Sequence, residues 1–220
     1  MGLNVIMMGP PGAGKGTQAG RIARERGLLK ISTGDILRDA IKEGQPEALL
    51  AKAKMDRGEL VDDPTMIAIV RTRLMRQDAQ RGVVLDGFPR TVAQARALDQ
   101  ILDERGQETL VVVDVVVPEA ELVRRLASRR ICSNCGTTAD PSYLEPACQK
   151  CGGKMVQRAD DNQGVVLERL KVYHRETKPV LEYYRKRPTF RAVNGAQAPD
   201  IVARELDDMI DDARSAGKVR

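Results

Sequence analysis

The sequence predicts an α/β fold, a three-layer α/β/α sandwich around a five-stranded, mostly parallel sheet. Three observations predict it. Five short apolar runs alternate with stretches of helical periodicity, the rhythm of strand–helix–strand crossovers. One of those runs, residues 110–117, is almost unbroken Val and Leu, as a strand buried on both faces requires. The stretch GPPGAGKGT, residues 9–17, stands directly between the first apolar run and the first helical pattern, the context in which a glycine-rich loop cradles phosphate.

The elements follow in order. Residues 3–8 (LNVIMM) form the first strand and enter the loop, and a helical pattern covers about 15–26. A second strand fits 29–32. The segment TGDILRDAIKEG then reads as a helix capped by Thr33 or Asp35 and ending near Gly44. Helical patterns cover about 47–57 and 65–78, and a third strand at 83–85 stops at Asp86 and Gly87. Helices fit 91–105 and 119–129 on either side of the buried run. A Cys-, Gly- and Pro-punctuated insert, about 130–161, is the one clear break in the rhythm. A long helix toward Tyr184, a short run at 189–193 and a helix from about Pro199 complete the chain.

The bulk numbers agree with one α/β unit carrying inserts. The chain has 220 residues, 42% hydrophobic and 30% charged, which excludes a disordered chain. Aromatics are only 3% with no Trp, so Leu, Val, Ile, Ala and Met must build the core. A net charge of +5 suits a partner with several phosphates, and equally suits nucleic acid. No stretch approaches the roughly 18 apolar residues of a spanning helix. A secretory leader is not expected, nor is myristoylation, because Ile6 stands where Ser or Thr is required. The expectation is a cytoplasmic enzyme.

Residues 9–17 let backbone N–H groups turn around phosphate oxygens at a helix N-terminus. Lys15 can reach the outer phosphates. Gly16 occupies the position of the usual loop hydroxyl and Thr17 follows it, so Mg is expected to be held otherwise. Asp86, at the end of a buried strand, is suited to orient water around Mg. Arg38 follows Asp35 by three residues on one helix face, and Arg90 follows a Gly-Phe-Pro turn that can aim a guanidinium at phosphate. Cys132, Cys135, Cys148 and Cys151 have the spacing C-x2-C-x12-C-x2-C, which suits a closed four-thiolate structural site. Zinc is the leading metal and iron the alternative. Two disulfides are the rival reading, disfavoured in a cytosolic chain. A nucleic-acid-binding zinc ribbon is the other, and Tyr143 is the only aromatic it would have for stacking.

GPPGAGKGTQA, STGDILR at 32–38 and LDGFPRTVAQA at 85–95 resemble, in order and spacing, the adenylate kinase branch of the nucleoside monophosphate kinases. The cysteine insert resembles the metal-bearing lid of some bacterial members. The resemblance covers essentially the whole chain. It implies a P-loop core of 1–31, 62–127 and 162–220, a helical AMP-binding insert at 32–61 and a zinc-ribbon-like lid at 128–161. It implies transfer of a phosphoryl group from Mg-ATP to AMP, giving ADP, by a monomer with structural zinc and without nucleic-acid or membrane partners.

For ATP the resemblance implies Gly12, Ala13, Gly14, Lys15, Gly16, Thr17, Arg129, Thr138 and Gln197. For AMP it implies Thr33, Arg38, Glu59, Leu60, Val61, Gly87, Phe88, Pro89, Arg90, Gln94, Arg158 and Arg169. Lys15, Arg90, Arg125, Arg129, Arg158 and Arg169 would form the catalytic clamp of charge, with Asp160 and Asp161 pairing with its arginines. One departure is visible. Thr138 and Ala139 stand where related lids place an aromatic against the ATP base, which puts donor selectivity in question; the near alternatives are a kinase for another monophosphate and one using GTP as donor. A nucleic-acid-stimulated ATPase is the distant one.

Overall fold

The computed structural model describes residues 2–45, 48–106, 109–140 and 142–216. Five strands, β1 (Asn4–Met8), β2 (Leu29–Ser32), β3 (Val83–Asp86), β4 (Leu110–Val116) and β7 (Phe190–Asn194), form one sheet in the order β2-β3-β1-β4-β7. Every pairing in it is parallel. The expected α/β fold with a five-stranded parallel sheet is therefore what forms.

Strand periodicity explains the layers. Ile6 and Met8 face one core, with Leu85, Val112, Leu98 and Ile101, while Val5 and Met7 face the other, with Val84, Val113, Ile22 and Leu206. Alternate residues of one strand leave on opposite faces, so a strand covered on both sides must be apolar throughout. The first core is closed by α2 (Thr33–Lys42), α3 (Ala48–Asp56), α4 (Asp63–Leu74), α5 (Val92–Glu104) and α8 (Lys178–Tyr184). The second lies under α1 (Lys15–Arg26), α6 (Glu119–Ala127), α7 (Gln163–Val172) and α9 (Pro199–Ala216). The insert between α6 and α7 carries a separate antiparallel ribbon of β5 (Arg130–Cys132) and β6 (Met155–Gln157).

Three local readings change. The cap of α2 is neither Thr33 nor Asp35 but Ser32, whose hydroxyl accepts the Asp35 N–H at 3.3 Å. The helix expected at 65–78 starts earlier, at Asp63, because the Asp62 side chain caps it and Pro64 fits its first turn. The long helix toward Tyr184 is interrupted by a π turn, Tyr173–Thr177. Pro179 has no N–H to return to the preceding turn, and the Lys178 N–H bonds the Tyr173 carbonyl instead. The helix expected at 47–57 forms over Ala48–Asp56; position 47 lies outside the described residues.

Candidate active site

The loop after β1 carries its lysine folded inward. Lys15, first residue of α1, donates Nζ–H to the Pro10 carbonyl at 2.8 Å, closing over the loop backbone. Burial pushes its ammonium down to about 8, against the pull of Asp86 and with help from the cations Arg90, Arg169 and Arg129. That set of neighbours shows where Lys15 sits, among the arginines expected to meet phosphate. Gly16 has its own reason to be small. A Cβ there would lie 3.1 Å from Asp86 Oδ2, so the carboxylate at the end of β3 approaches the helix start where a hydroxyl side chain would otherwise stand. Ala13 is buried and Thr17 is exposed.

Across the ends of the strands lies an open cleft, lined by Thr33, Arg38, Glu59, Leu60, Val61, Gly87, Arg90, Gln94 and Arg169 among others. Its floor is the turn after β3. Gly87 takes φ +80°, and a Cβ on it would fall 2.9 Å from both Arg90 Nη2 and Thr33 Oγ1. Glycine thus lets its carbonyl receive Thr33 Oγ1–H at 2.8 Å and Arg90 Nε–H at 2.8 Å. Phe88 and Pro89 are buried beneath the turn. Arg38 is held by Asp35 at 2.5 Å. Glu59 lines the cleft but is exposed, with Arg57 clasping its carboxylate at 2.8 and 2.9 Å.

Between cradle and cleft the guanidiniums crowd. Burial, then the charges of Arg169 and Arg38, push Arg90 down to about 10, with Asp86 and Asp160 opposing. Arg158 also falls to about 10, through burial and the charges of Arg129 and Arg38. Arg169 is lowered chiefly by burial, with Arg129 and Arg38 adding to the fall. The buried Nε of Arg158 has no hydrogen-bond partner among the described residues. Guanidiniums whose pKa values are lowered by burial and by neighbouring cations, with a donor left over, are what an anion site looks like before its anion arrives. Two carboxylates limit the repulsion. Asp161, its side chain fully buried, receives Arg129 at 2.7 and 2.5 Å and Arg169 at 3.1 Å. Asp160 pairs with Arg169 at 3.1 Å; burial acts to raise its pKa, but Arg169, Arg158, Arg129 and Arg38 overcome that and hold it low.

The remaining expected residues are more scattered. Arg125 is tied to Glu121 at 2.7 Å and to the Gly195 carbonyl at 2.9 Å, bracing the 194–197 loop. Gln197 gives its amide to Glu205 at 2.9 Å and to the Asn194 carbonyl at 3.2 Å. Thr138 is exposed in the insert, bridged to Ile131. Arg158 does not line the cleft but approaches Asp35 at 3.9 Å. Sequence reading passed over Asp63 and Thr177. Asp63 accepts from Thr91 Oγ1 at 2.9 Å and from Gln94 Nε2 at 2.7 Å, and the Thr177 hydroxyl donates to the Arg90 carbonyl at 3.0 Å. Both act through contacts distant in sequence, and no local pattern announces them.

The four cysteine sulfurs lie within 4.8 Å of one another. Cys132 and Cys151 sulfurs are 3.5 Å apart and those of Cys135 and Cys148 3.8 Å. A zinc tetrathiolate with Zn–S near 2.3 Å has S···S edges of about 3.8 Å, so this donor set fits structural zinc. The lid's own apolar cluster is small, Cys132, Cys148 and Met155 with Ala139 and Tyr143 packed against them. A metal is the natural organiser of so little core.

Comparison with known proteins agrees with the geometry. The family model described as adenylate kinase matches residues 7–189. An adenylate kinase of Archaeoglobus fulgidus is 45% identical over 217 residues, covering 97% of this chain and 100% of that protein. Adenylate kinases of a Geobacillus species and of Bacillus subtilis are 48% and 46% identical over 212 residues, each covering 94% of this chain and 98% of the relative. Matched by that model over most of its length and by these relatives over nearly all of theirs, the chain belongs to the adenylate kinase family.

Proposed function

We propose that the protein transfers the terminal phosphoryl group of Mg-ATP to AMP, reversibly, giving two ADP. One observation supports the reading: Lys15, Arg90, Arg158 and Arg169, each with a pKa lowered first by burial and then by neighbouring cations, gather beside Arg129 between the loop and the cleft. ATP phosphates rest on residues 12–17, and AMP phosphate on Arg38 and Arg90. An oxygen of the AMP phosphate attacks the terminal phosphorus as the bond to the bridging oxygen breaks, and ADP departs. No covalent enzyme intermediate is required. Positioning and charge stabilisation by the cations supply the catalysis.

Mg, when bound, neutralises charge across the phosphates, and Asp86 is the carboxylate that would hold its water. The lid (128–161) and the AMP insert (32–61) close on the core (1–31, 62–127 and 162–220) and exclude water during transfer. The lid brings Arg129 and Arg158. Ligand favours closure, because gathered guanidiniums repel one another without phosphate. Zinc in the four-thiolate knot holds the lid's shape and takes no part in transfer. Among the described residues, no helix is long and apolar enough to cross a membrane. The reading includes a cytoplasmic monomer without nucleic-acid partners. ADP formation from ATP, followed with and without each nucleoside monophosphate, tests it; activity only with a monophosphate, and best with AMP, is expected.

A further inference from the structure

Asp63 is the first residue of α4, and the cap of that helix is its neighbour Asp62, whose side chain accepts the Thr65 N–H at 3.2 Å. Both oxygens of Asp63 point elsewhere. One accepts Thr91 Oγ1–H at 2.9 Å and the other accepts Gln94 Nε2–H at 2.7 Å. Thr91 in turn caps α5 by receiving the Gln94 backbone N–H at 3.1 Å, so the three residues form a closed ring, of which Gln94 lines the cleft.

A primary amide can turn over with almost no change of shape, exchanging donor for acceptor. The buried amide of Gln94 cannot. Its Oε1 receives the Arg90 backbone N–H at 2.8 Å, a group that only donates, while its Nε2 faces a carboxylate, which when ionised only accepts. Turned over, it would set N–H against N–H and oxygen against oxygen in a poorly solvated site. After these bonds Gln94 keeps one lone pair on Oε1 and one N–H on Nε2, in a fixed order. A 6-aminopurine offers a donor at position 6 beside an acceptor at N1, and a 6-oxopurine offers the reverse. With its phosphate anchored, the base cannot slide to correct a mismatch, and a mismatch leaves buried polar groups unpaired.

We propose that Asp63 is a specificity-determining positioning residue: together with the Arg90 backbone N–H it fixes the polarity of the Gln94 amide, and so makes the cleft accept 6-aminopurine and refuse 6-oxopurine monophosphates. The inference rests on the reading of this cleft as the AMP site. Its test is the ratio of kcat/KM for AMP to that for inosine monophosphate, measured on the full-length, zinc-loaded protein. Asp63→Ala leaves the Asp62 cap in place; it is expected to lower the ratio at least about tenfold with KM for ATP unchanged. Asp63→Ser, whose hydroxyl can both give and take, serves if the alanine variant folds poorly, and is expected to lower the ratio by a smaller factor. An unchanged ratio in both variants overturns the inference. Gln94→Leu separates the two levels. If it lowers the ratio while the Asp63 variants do not, only the role of Asp63 falls; if it too leaves the ratio unchanged, the assignment of the purine edge to this wall falls with it.

Discussion

Asp161 holds Arg129 by two hydrogen bonds, Arg129 Nε to Oδ2 at 2.7 Å and Nη2 to Oδ1 at 2.5 Å, from a carboxylate with no exposed surface. The pair joins the end of α6, where the chain enters the lid, to the turn where it leaves. Removing one partner of a buried pair strands the other charge, at a cost of roughly 3–5 kcal/mol. Asp161→Ala is therefore expected to lower the melting temperature by on the order of 10 °C, measured by calorimetry on zinc-loaded protein. A loss of only a degree or two would show that Arg129 finds another partner in the ligand-free state.

Lys15 couples function to a cost in stability. Its folded pKa, about 8, lies below the ordinary 10.5. Between those values the unfolded chain binds more protons than the folded one, so this group makes stability rise with pH across that window. Below pH 8 both states carry the charge, and the fold bears the burial of an ammonium among arginines. Lys15→Met should abolish turnover by roughly two to three orders of magnitude while raising the melting temperature of the ligand-free protein at pH 7. A lower melting temperature would contradict the electrostatic argument.

The same lysine predicts proton uptake. Phosphate favours charged Lys15, so ATP binding near pH 8 should take up as much as about half a proton, whereas at pH 6.5 the group is already charged and contributes almost nothing. Titration calorimetry in buffers of different ionisation enthalpy reads the difference. Equal proton uptake at the two pH values, or its disappearance in neither case on Lys15→Met substitution, would contradict it.

The Thr177 hydroxyl, carried on the π turn, fixes the Arg90 carbonyl at 3.0 Å. Thr177→Val removes that bond and keeps the shape. KM for AMP is expected to rise about 3- to 10-fold, the size of one lost hydrogen bond, with KM for ATP unchanged and with Thr177→Ser restoring the wild-type value. Equal changes in both KM values would mean a general loosening of the fold.

Cys148 is buried in the lid, where little apolar surface supports the chain. Cys148→Ser should reduce zinc content and thermal stability far more than turnover at moderate temperature. Absence of zinc from the wild-type protein by metal analysis would contradict the structural role.

The sheet was legible because its central strands, β1, β3 and β4, are apolar runs buried on both faces, a property that needs no knowledge of partners, while the partly exposed edge strands β2 and β7 were read from their alternation with helices. The cradle was legible for a similar reason: its glycines, Lys15 and flanking elements are contiguous. Local competition decided the misread cap. Ser32, Thr33 and Asp35 can all cap a helix, and Thr33 was drawn away by the Gly87 carbonyl, 54 residues on. Pro179 was in plain view as a helix disturber, yet whether it would kink, end or widen the helix depended on packing. Asp63 and Thr177 act on Gln94 and Arg90 across 31 and 87 residues, and only folding brings such partners together.

Two facing nucleotide sites bridged by shared cations make one direct demand, that ATP be consumed only when an acceptor occupies the second site. Purified protein given Mg-ATP should form no ADP until AMP is added, and should then form two ADP for each AMP consumed. Steady ADP production without any monophosphate, unchanged when AMP is supplied, would contradict the account.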